Sequence, residues 1–235
     1  SLHGALPIYV LVSASPAAAA LPGVPQPADL YDLTDLLTDA AIPTSNLISI
    51  TINADGSASF ALPRAEVGQG ITTSTAMIIA EELDLPVEKV HITLAPARPE
   101  LLFNQLTGGS NSTHSTYTPI RVAAAIARHA LLEAAAIELG DNIKNLTTQY
   151  GEVLSKLGPS ISYGALAEKA AANTPTKRAV TLKDQSTFKV IGQRQKRIDG
   201  FDIVTGRKKF AMDLDVPNAL PTMVYRPPTI NVTVK

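Results

Sequence analysis

The sequence contains no cysteine among its 235 residues. This chain therefore forms no disulfide, supplies no thiolate to zinc or to an iron–sulfur cluster, and has no cysteine nucleophile. Tryptophan is absent too, and aromatic residues make up only 5% of the chain. Because hydrophobic residues still reach 45%, we expect a core built mainly from Ala, Val, Leu and Ile.

The chain also lacks a large net charge and a long apolar run. Its formal net charge is −1, whereas nucleic-acid binding needs a basic surface that meets the phosphates, so no nucleic-acid partner is expected. No apolar run reaches the roughly 18 residues of a membrane span. The four histidines, His3, His91, His114 and His129, include no pair with metal-ligand spacing on one element, so no metal ligand is predicted.

The first 45 residues show no sustained hydrophobic period. The stretch "SLHGALPI" resembles a translated adapter scar. The following "YVLVSASPAAAALPG" is typical either of the end of a signal peptide or of an Ala/Pro-rich linker. The first interpretation predicts a periplasmic or exported protein and the second a cytoplasmic one. We also expect residues to be missing at both ends of the chain.

Residues 46–175 predict an α+β domain in which helices pack on a mixed sheet. Alternation of Ile48, Ile50 and Ile52 ahead of the turn at Asp55-Gly56 predicts a β-hairpin.

A helix, a strand and a long polar loop follow the hairpin. The period predicts the helix over 72–85, with Glu81, Glu82 and Asp84 on its solvent side, and the strand in "VEKVHITLAP". The irregular segment 97–117 is long enough to suggest a functional loop.

A second helix is predicted to begin at Thr118 as N-cap and to end at Leu139, because Pro119 suits the first helical position. The remaining predicted elements are a hairpin at Tyr150-Gly151, a helix capped by Ser162 and, in residues 176–235, extended strands with a turn at Thr205-Gly206.

Two glycine-rich loops precede the predicted helices. The first lies in "RAEVGQGITTST", where Gly68-Gln69-Gly70 stands just before a helix. Glycine permits positive φ and removes the Cβ that keeps a ligand from the backbone, and a helix N-terminus favours phosphate. The loop is either an ordinary tight turn or a loop that contacts phosphate, since the third glycine of the dinucleotide fingerprint is missing.

The second loop, "TGGSNSTHS", has the same chemistry. Two such loops would suit a ligand with more than one phosphate, and the alternative is a solvated surface loop. The absence of a G-x-S-x-G elbow gives little support to a serine nucleophile here. The candidate ligand-binding residues of this loop are Gly108, Gly109, Ser110, Asn111, Ser112 and Thr113.

At these loops the chain resembles the molybdopterin-binding large subunit of the xanthine dehydrogenase/aldehyde oxidase family. Within that family it is most similar to the branch of isoquinoline 1-oxidoreductase beta subunits. Val67 departs mildly from the family's usual E-M-G-Q-G. The matching stretches, in the family's order, are "PRAEVGQGITTSTAMIIAEELDLPVEKVHITLAP", "TGGSNSTHSTYTPIRVAAAIARHALLEAAA", "ISYGALAEKAA" and "LKDQSTFKVIGQRQKRIDGFDIVTGRKKFAMDLDVPNAL".

The resemblance implies a molybdenum hydroxylase that oxidises an aldehyde or an N-heterocycle with water-derived oxygen. Gly68, Gln69 and Gly70 would contact the pterin and phosphate end of a molybdopterin cofactor, of the cytosine dinucleotide form. The loop from Gly108 to Thr113 would hold its dinucleotide phosphates. Electrons would pass to a small [2Fe–2S] subunit, with a cytochrome c as a further acceptor, and residues 176–235 would contain a linker and begin an α/β-hammerhead domain.

The resemblance also implies that this chain has no catalytic residue of its own. The family's catalytic Glu lies in a G-E-P-type motif near the C-terminus of a longer chain, and Glu66 does not match that motif. We therefore expect a fragment that is inactive alone. The rival interpretation is an exported, non-enzymatic α/β binding module whose glycine loops are ordinary turns.

Overall fold

The computed structural model of the protein describes residues 48–97, 105–172 and 180–226. The predicted leader or linker over 1–45 and the predicted boundary near residue 175 lie outside these ranges. The strands are β1 (Ile50–Ile52), β2 (Ala58–Leu62), β3 (Val90–Leu94), β4 (Leu146–Gln149), β5 (Glu152–Ser155) and β6 (Ser160–Ser162). The helices are α1 (Ile71–Leu83), α2 (Ser112–Leu139), α3 (Tyr163–Ala172) and α4 (Gly200–Val204).

The first sheet is mixed and has the order β1-β2-β3. Strands β1 and β2 form an antiparallel hairpin in which Ile50 pairs with Phe60. Strand β3 lies parallel to β2, with Val90 opposite Ala58, because α1 carries the chain back across the sheet. These observations confirm the predicted α+β class with helices packed on a mixed sheet.

The long helix α2 packs against both α1 and α3. The buried face of α2 consists largely of alanine, including Ala123, Ala124, Ala127, Ala130 and Ala134. Small side chains let neighbouring helices approach closely, since interaxial distance depends on the residues at the contact. In the part of the chain that the structure describes, no helix is both long and apolar enough to cross a membrane.

The second sheet, β4-β5-β6, is antiparallel throughout. Tyr150 and Gly151 both have positive φ, of 49° and 84°, as a two-residue hairpin turn of the primed type requires. The Ser162 hydroxyl accepts a hydrogen bond from the backbone of Ala165 at 3.3 Å. The predicted hairpin and the predicted cap of α3 are thereby confirmed.

Helix α2 begins at Ser112 and not after Thr118, so the predicted helix start is wrong. Pro119 lies inside the helix, where it removes one backbone hydrogen bond. Other bonds hold the turn before it: Ser115 donates its backbone N–H to Asn111 at 2.9 Å, and the hydroxyl of Thr116 donates to the Ser112 carbonyl at 2.7 Å.

The prediction of strands in the C-terminal part is also wrong for the described residues 180–226. Their only regular structures are short helical turns, among them α4, which occupies the place of the predicted hairpin before Thr205-Gly206. Side chains such as Met212 and Tyr225 are 96% and 97% exposed, so these residues pack against no strand in the part of the chain that the structure describes. The hammerhead assignment stays a prediction.

Glu81 and Glu82, which were expected to face water, are buried at 2% and 0% exposure. One carboxylate oxygen of Glu81 accepts the backbone N–H groups of Lys189, Val190 and Ile191 at 2.7–3.0 Å. The C-terminal segment therefore covers the face of α1 that the helical period assigned to solvent.

Candidate functional site

The first glycine loop, residues 64–70, has a backbone that glycine makes possible. Gly68 and Gly70 have φ values of 104° and 85°, and Gly70 is the N-cap of α1. A Cβ added at Gly68 would meet no atom within 4 Å. The loop backbone at Gly68 is therefore open to the close approach of another molecule.

The carboxylate of Glu66 lies at the centre of this loop. One oxygen accepts the backbone N–H groups of Gly68 and Gly70 at 2.8 and 3.0 Å. The other accepts the N–H and the hydroxyl of Thr72 at 3.2 and 3.0 Å. The loop and helix amides that were predicted to bind a phosphate therefore bind the carboxylate of Glu66.

Glu66 was not among the predicted site residues, although a local signal existed. A carboxylate just ahead of a helix N-terminus is a favourable partner for its free N–H groups. Burial opposes ionisation of Glu66, which is 6% exposed, but hydrogen bonds from Gly70, Thr72 and Gly68 outweigh it. The pKa of Glu66 is therefore lowered from its ordinary value of 4.5.

We predict that Glu66→Gln destabilises the chain by about 1.5–3 kcal/mol at pH 7, the usual contribution of hydrogen bonds to a charged group. Because the folded-state pKa is depressed, this stabilisation is fully present above the unfolded-state pKa and is lost as pH falls through the folded-state pKa. Urea unfolding at pH 7 and at successively lower pH should show the two proteins converging. The exposed Glu152→Gln is the control, and a constant difference at all pH values would contradict the prediction.

Gln69 folds its side-chain amide back onto the loop. Its oxygen accepts the backbone N–H of Val67 at 2.7 Å, and its nitrogen donates to the carbonyl of Ala65 at 2.8 Å. The exposed amide keeps one N–H and one acceptor lone pair for a ligand.

The second loop leads into α2 without a side-chain cap. Gly109 and Ser110 have φ of 60° and 58°, and a Cβ at Gly108 or Gly109 would meet nothing within 4 Å. Asn111 is the N-cap but its side chain makes no capping bond, and the first turn contains no acidic residue. Unlike the start of α1, the start of α2 therefore keeps its partial positive charge available to an anion.

The last two candidates of this loop, Ser112 and Thr113, belong to the first turn of α2. Ser112 is buried and its carbonyl accepts the Thr116 hydroxyl, while Thr113 is exposed. His114 follows on the same turn and is also exposed. Among the described residues, no three His, Asp or Glu side chains are grouped as a metal site.

Two hydrogen bonds join the loops. The backbone N–H of Ala65 donates to the hydroxyl of Thr107 at 2.8 Å, and the guanidinium of Arg64 donates to the hydroxyl of Ser115 at 3.0 Å. The glycine-rich segments are thus neighbours in space, as the two-loop hypothesis requires. In the described ranges, however, no hydrogen bond directly links Gln69 to residues 108–113.

Arg64 brings a buried positive charge to this junction. The residue is 7% exposed, it forms no ion pair within the described ranges, and its Nε has no hydrogen-bond partner there. Burial lowers the pKa of its guanidinium, although arginine remains charged in proteins. An uncompensated buried cation makes the junction favourable to an anion.

A residue far along the chain also reaches the first loop. The Arg197 guanidinium donates to the carbonyl of Gly68 at 2.6 Å and to the carboxylate of Glu66 at 3.2 Å. Because 129 positions separate Arg197 from Gly68, the sequence alone did not indicate this contact.

Known proteins are similar to this chain over the region that contains both glycine loops. The family model described as the molybdopterin cofactor-binding domain matches residues 33–206. A nicotinate dehydrogenase subunit of Pseudomonas putida is 32% identical over 76% of this chain and 15% of that protein. The beta subunit of isoquinoline 1-oxidoreductase from Brevundimonas diminuta is 28% identical over 86% of this chain and 31% of that protein.

A third relative, the membrane-bound aldehyde dehydrogenase of Gluconacetobacter polyoxogenes, is 32% identical over 76% of this chain and 24% of that protein. The chain thus spans less than a third of each of these curated relatives. The family model nevertheless covers most of it, including both glycine loops. The chain belongs to the molybdopterin cofactor-binding domain family, within the xanthine dehydrogenase type of molybdenum-binding subunit.

Proposed function

We propose that this chain holds a molybdopterin cofactor, of the cytosine dinucleotide form, within the large subunit of a molybdenum hydroxylase. The observation that carries the proposal is the junction of the two glycine loops, which Ala65 and Thr107 join at 2.8 Å. Each loop alone resembles an ordinary turn, whereas two joined loops offer neighbouring contact points to one elongated, phosphate-bearing molecule.

The residues present fit such a cofactor. Backbone at Gly68, Gly108 and Gly109 has open space where a Cβ would stand, so a ligand can approach it closely. At Gly68 the N–H and the carbonyl already bind Glu66 and Arg197, so the ligand would meet that residue by van der Waals contact. The uncapped N-terminus of α2 suits phosphates, with the charge of Arg64 nearby. Gln69 has one spare donor and one spare acceptor, which suit the hydrogen-bonding edge of a pterin.

When bound, the cofactor would supply the two-electron oxidation of an aldehyde or N-heterocycle, with oxygen from water. The contribution of this chain would be to bind and orient the cofactor. The names of the relatives, a nicotinate dehydrogenase, an isoquinoline oxidoreductase and an aldehyde dehydrogenase, support both substrate classes. We further propose that the electrons pass to a separate [2Fe–2S] subunit, with a cytochrome c beyond it, in keeping with a chain that has no cysteine.

The test is to express the complete gene together with its chromosomal neighbours in a host that makes the cofactor. Molybdenum per protein and the fluorescent oxidation product of the pterin would be measured on the purified complex. We expect both in the wild type. A folded wild-type complex that contains neither would contradict the proposal and favour the non-enzymatic binding module.

We predict that Gln69→Ala lowers molybdenum occupancy about tenfold at limiting cofactor, because removing one hydrogen-bonding side chain costs roughly the 1.4 kcal/mol of a tenfold change in affinity. The matched control is Gln149→Ala, at an exposed position in β4. Unchanged occupancy and activity in Gln69→Ala would contradict the role given to this loop.

A further inference from the structure

We propose that Arg197 is a positioning residue for the first glycine loop, which it holds through Glu66 in the shape that faces the cofactor. Glu66, Arg197 and Asp199 are here termed the Arg197 cluster. Its effect on cofactor binding rests on the proposed function, whereas its effect on the loop does not.

The guanidinium of Arg197 contacts the loop at two different chemical groups. It donates one bond to the backbone carbonyl of Gly68 at 2.6 Å and another to the carboxylate of Glu66 at 3.2 Å. A Cβ at Gly70 would lie 3.6 Å from the same guanidinium. Arg197 therefore binds the loop at the Gly68 carbonyl and at the Glu66 carboxylate, and its guanidinium lies close to Gly70.

Asp199 aims this guanidinium. Its carboxylate accepts from the Nε of Arg197 at 2.5 Å and from an Nη at 3.3 Å, and Lys208 lies 3.4 Å from it. Asp199 is 8% exposed. Because arginine presents its donors in a fixed planar fork, engaging one edge with Asp199 fixes the direction of the other edge.

The same segment is attached to α1 by a further bond. The backbone N–H of Ile198 donates to the hydroxyl of Thr73 at 3.1 Å. Arg197 thus projects from a short stretch that is fixed to the first turn of the helix. The loop and the stretch 197–199 are expected to be ordered together, although 129 positions separate Arg197 from Gly68.

The opposite charges of Arg197 and Glu66 explain how the Arg197 cluster positions the loop. The side chain of Glu66 has no exposed surface, and a neighbouring cation stabilises a buried carboxylate in addition to its hydrogen bonds. Arg197 is the cation that contacts it among the described residues. Without Arg197, Glu66 would bind the loop amides less firmly, and the loop would lose its fixed shape.

The experiment measures amide hydrogen exchange in the cofactor-free chain for wild type, Arg197→Met and Arg197→Lys. We expect exchange of the Gly68, Gly70 and Thr72 amides to rise at least about tenfold in Arg197→Met, as for loss of a charge-assisted hydrogen bond. Arg197→Lys should restore part of the protection, since an ammonium supplies the charge without the fork. Arg194→Met, at an exposed position of the same segment, is the control and should match the wild type.

Two outcomes would overturn the proposal. The first is unchanged exchange at the three amides in Arg197→Met. The second is an equal rise in the core amides of α2, because that pattern reports general destabilisation and no specific hold on the loop. Should Arg197→Met fail to fold, Asp199→Asn decides instead: it removes the charge that aims the guanidinium, and it should raise exchange at the same three amides only.

Cofactor content separates this proposal from the proposed function. In the co-expressed complex, Arg197→Met should hold several-fold less molybdenum than the wild type. A wild-type complex without cofactor would contradict the proposed function. The exchange data would then still test whether the Arg197 cluster positions the loop. Equal molybdenum content and equal exchange in the wild type and Arg197→Met would contradict the role of the Arg197 cluster without contradicting the proposed function.

Discussion

Replacing Gly164 by alanine is expected to destabilise the protein by at least about 3 kcal/mol, the upper end of the usual cost of overpacking. Gly164 is the second residue of α3, where alanine would ordinarily be favoured over glycine by about 0.5–1 kcal/mol. Here a Cβ would lie 2.1 Å from the carbonyl oxygen of Ala54 and 3.0 Å from the backbone nitrogen of Gly56. The clash reverses the sign of the substitution.

The obstructing atoms belong to the turn between β1 and β2, so no flexible side chain can move aside. Relief requires α3 to separate from the hairpin, which exposes core residues such as Tyr163 and Leu166, both fully buried. Urea unfolding followed by circular dichroism measures the effect. Gly200→Ala is the control, because its Cβ would meet only the Cβ of Arg197, at an ordinary 3.5 Å. Equal stability of Gly164→Ala and the wild type would contradict this packing.

Elements that depend on neighbouring residues were predicted from the sequence. The β1–β2 hairpin follows from alternating apolar residues and a turn closed by Asn53 and Ser57. The β4–β5 turn follows from the position of Gly151 beside Tyr150, because glycine adopts positive φ at no steric cost. In each case the determining contacts lie within a few positions, where periodicity and turn chemistry are informative.

Contacts that depend on distant residues were not predicted from the sequence. Glu82 bonds Arg121 across 39 positions, and Glu81 bonds Ile191 across 110. The period of α1 only showed that these carboxylates lie away from the sheet. It contained no information that a later, irregular segment would cover them.

The positions of both glycine loops were predicted from their glycine motifs ahead of helices, and Ala65 and Thr107 make the loops neighbours. The assignment of these loops to cofactor binding stays a prediction. The acceptor of the loop N–H groups was not predicted, because either a ligand phosphate or a carboxylate of the chain can bind them. Glu66 is two positions from Gly68 and four from Gly70, so it reaches them without any ligand.

The second large effect is expected at Glu82, whose replacement by methionine should cost about 3–5 kcal/mol, as for breaking a buried ion pair from one side. Glu82 is 0% exposed. Its carboxylate accepts from the Nε of Arg121 at 2.8 Å and lies 3.5 Å from Arg128. Arg121 is 6% exposed. Glu82→Met therefore leaves its buried guanidinium without the carboxylate that neutralises it.

A double-mutant cycle tests whether the cost comes from the uncompensated charge. Glu82→Met combined with Arg121→Met should be less destabilising than the sum of the single changes, because replacing both partners of a buried pair is far less costly than removing one. The surface control Glu88→Gln should stay within about 0.5 kcal/mol of the wild type. Strict additivity in the cycle would show that the two side chains act independently, and would contradict a contribution of the ion pair to stability.

The same pair also contributes to the attachment of the C-terminal segment to the domain. Arg121 donates to the carbonyl of Lys183 at 2.6 Å, and its guanidinium lies 5.0 Å from the ring of Phe188. In Glu82→Met, Arg121 is expected to turn towards water and release this segment, which precedes the stretch that carries Arg197. Amide exchange at Gly68 and Gly70 should therefore rise in Glu82→Met even though Glu82 does not touch the loop. Unchanged exchange there would show that the two attachments of the segment are independent.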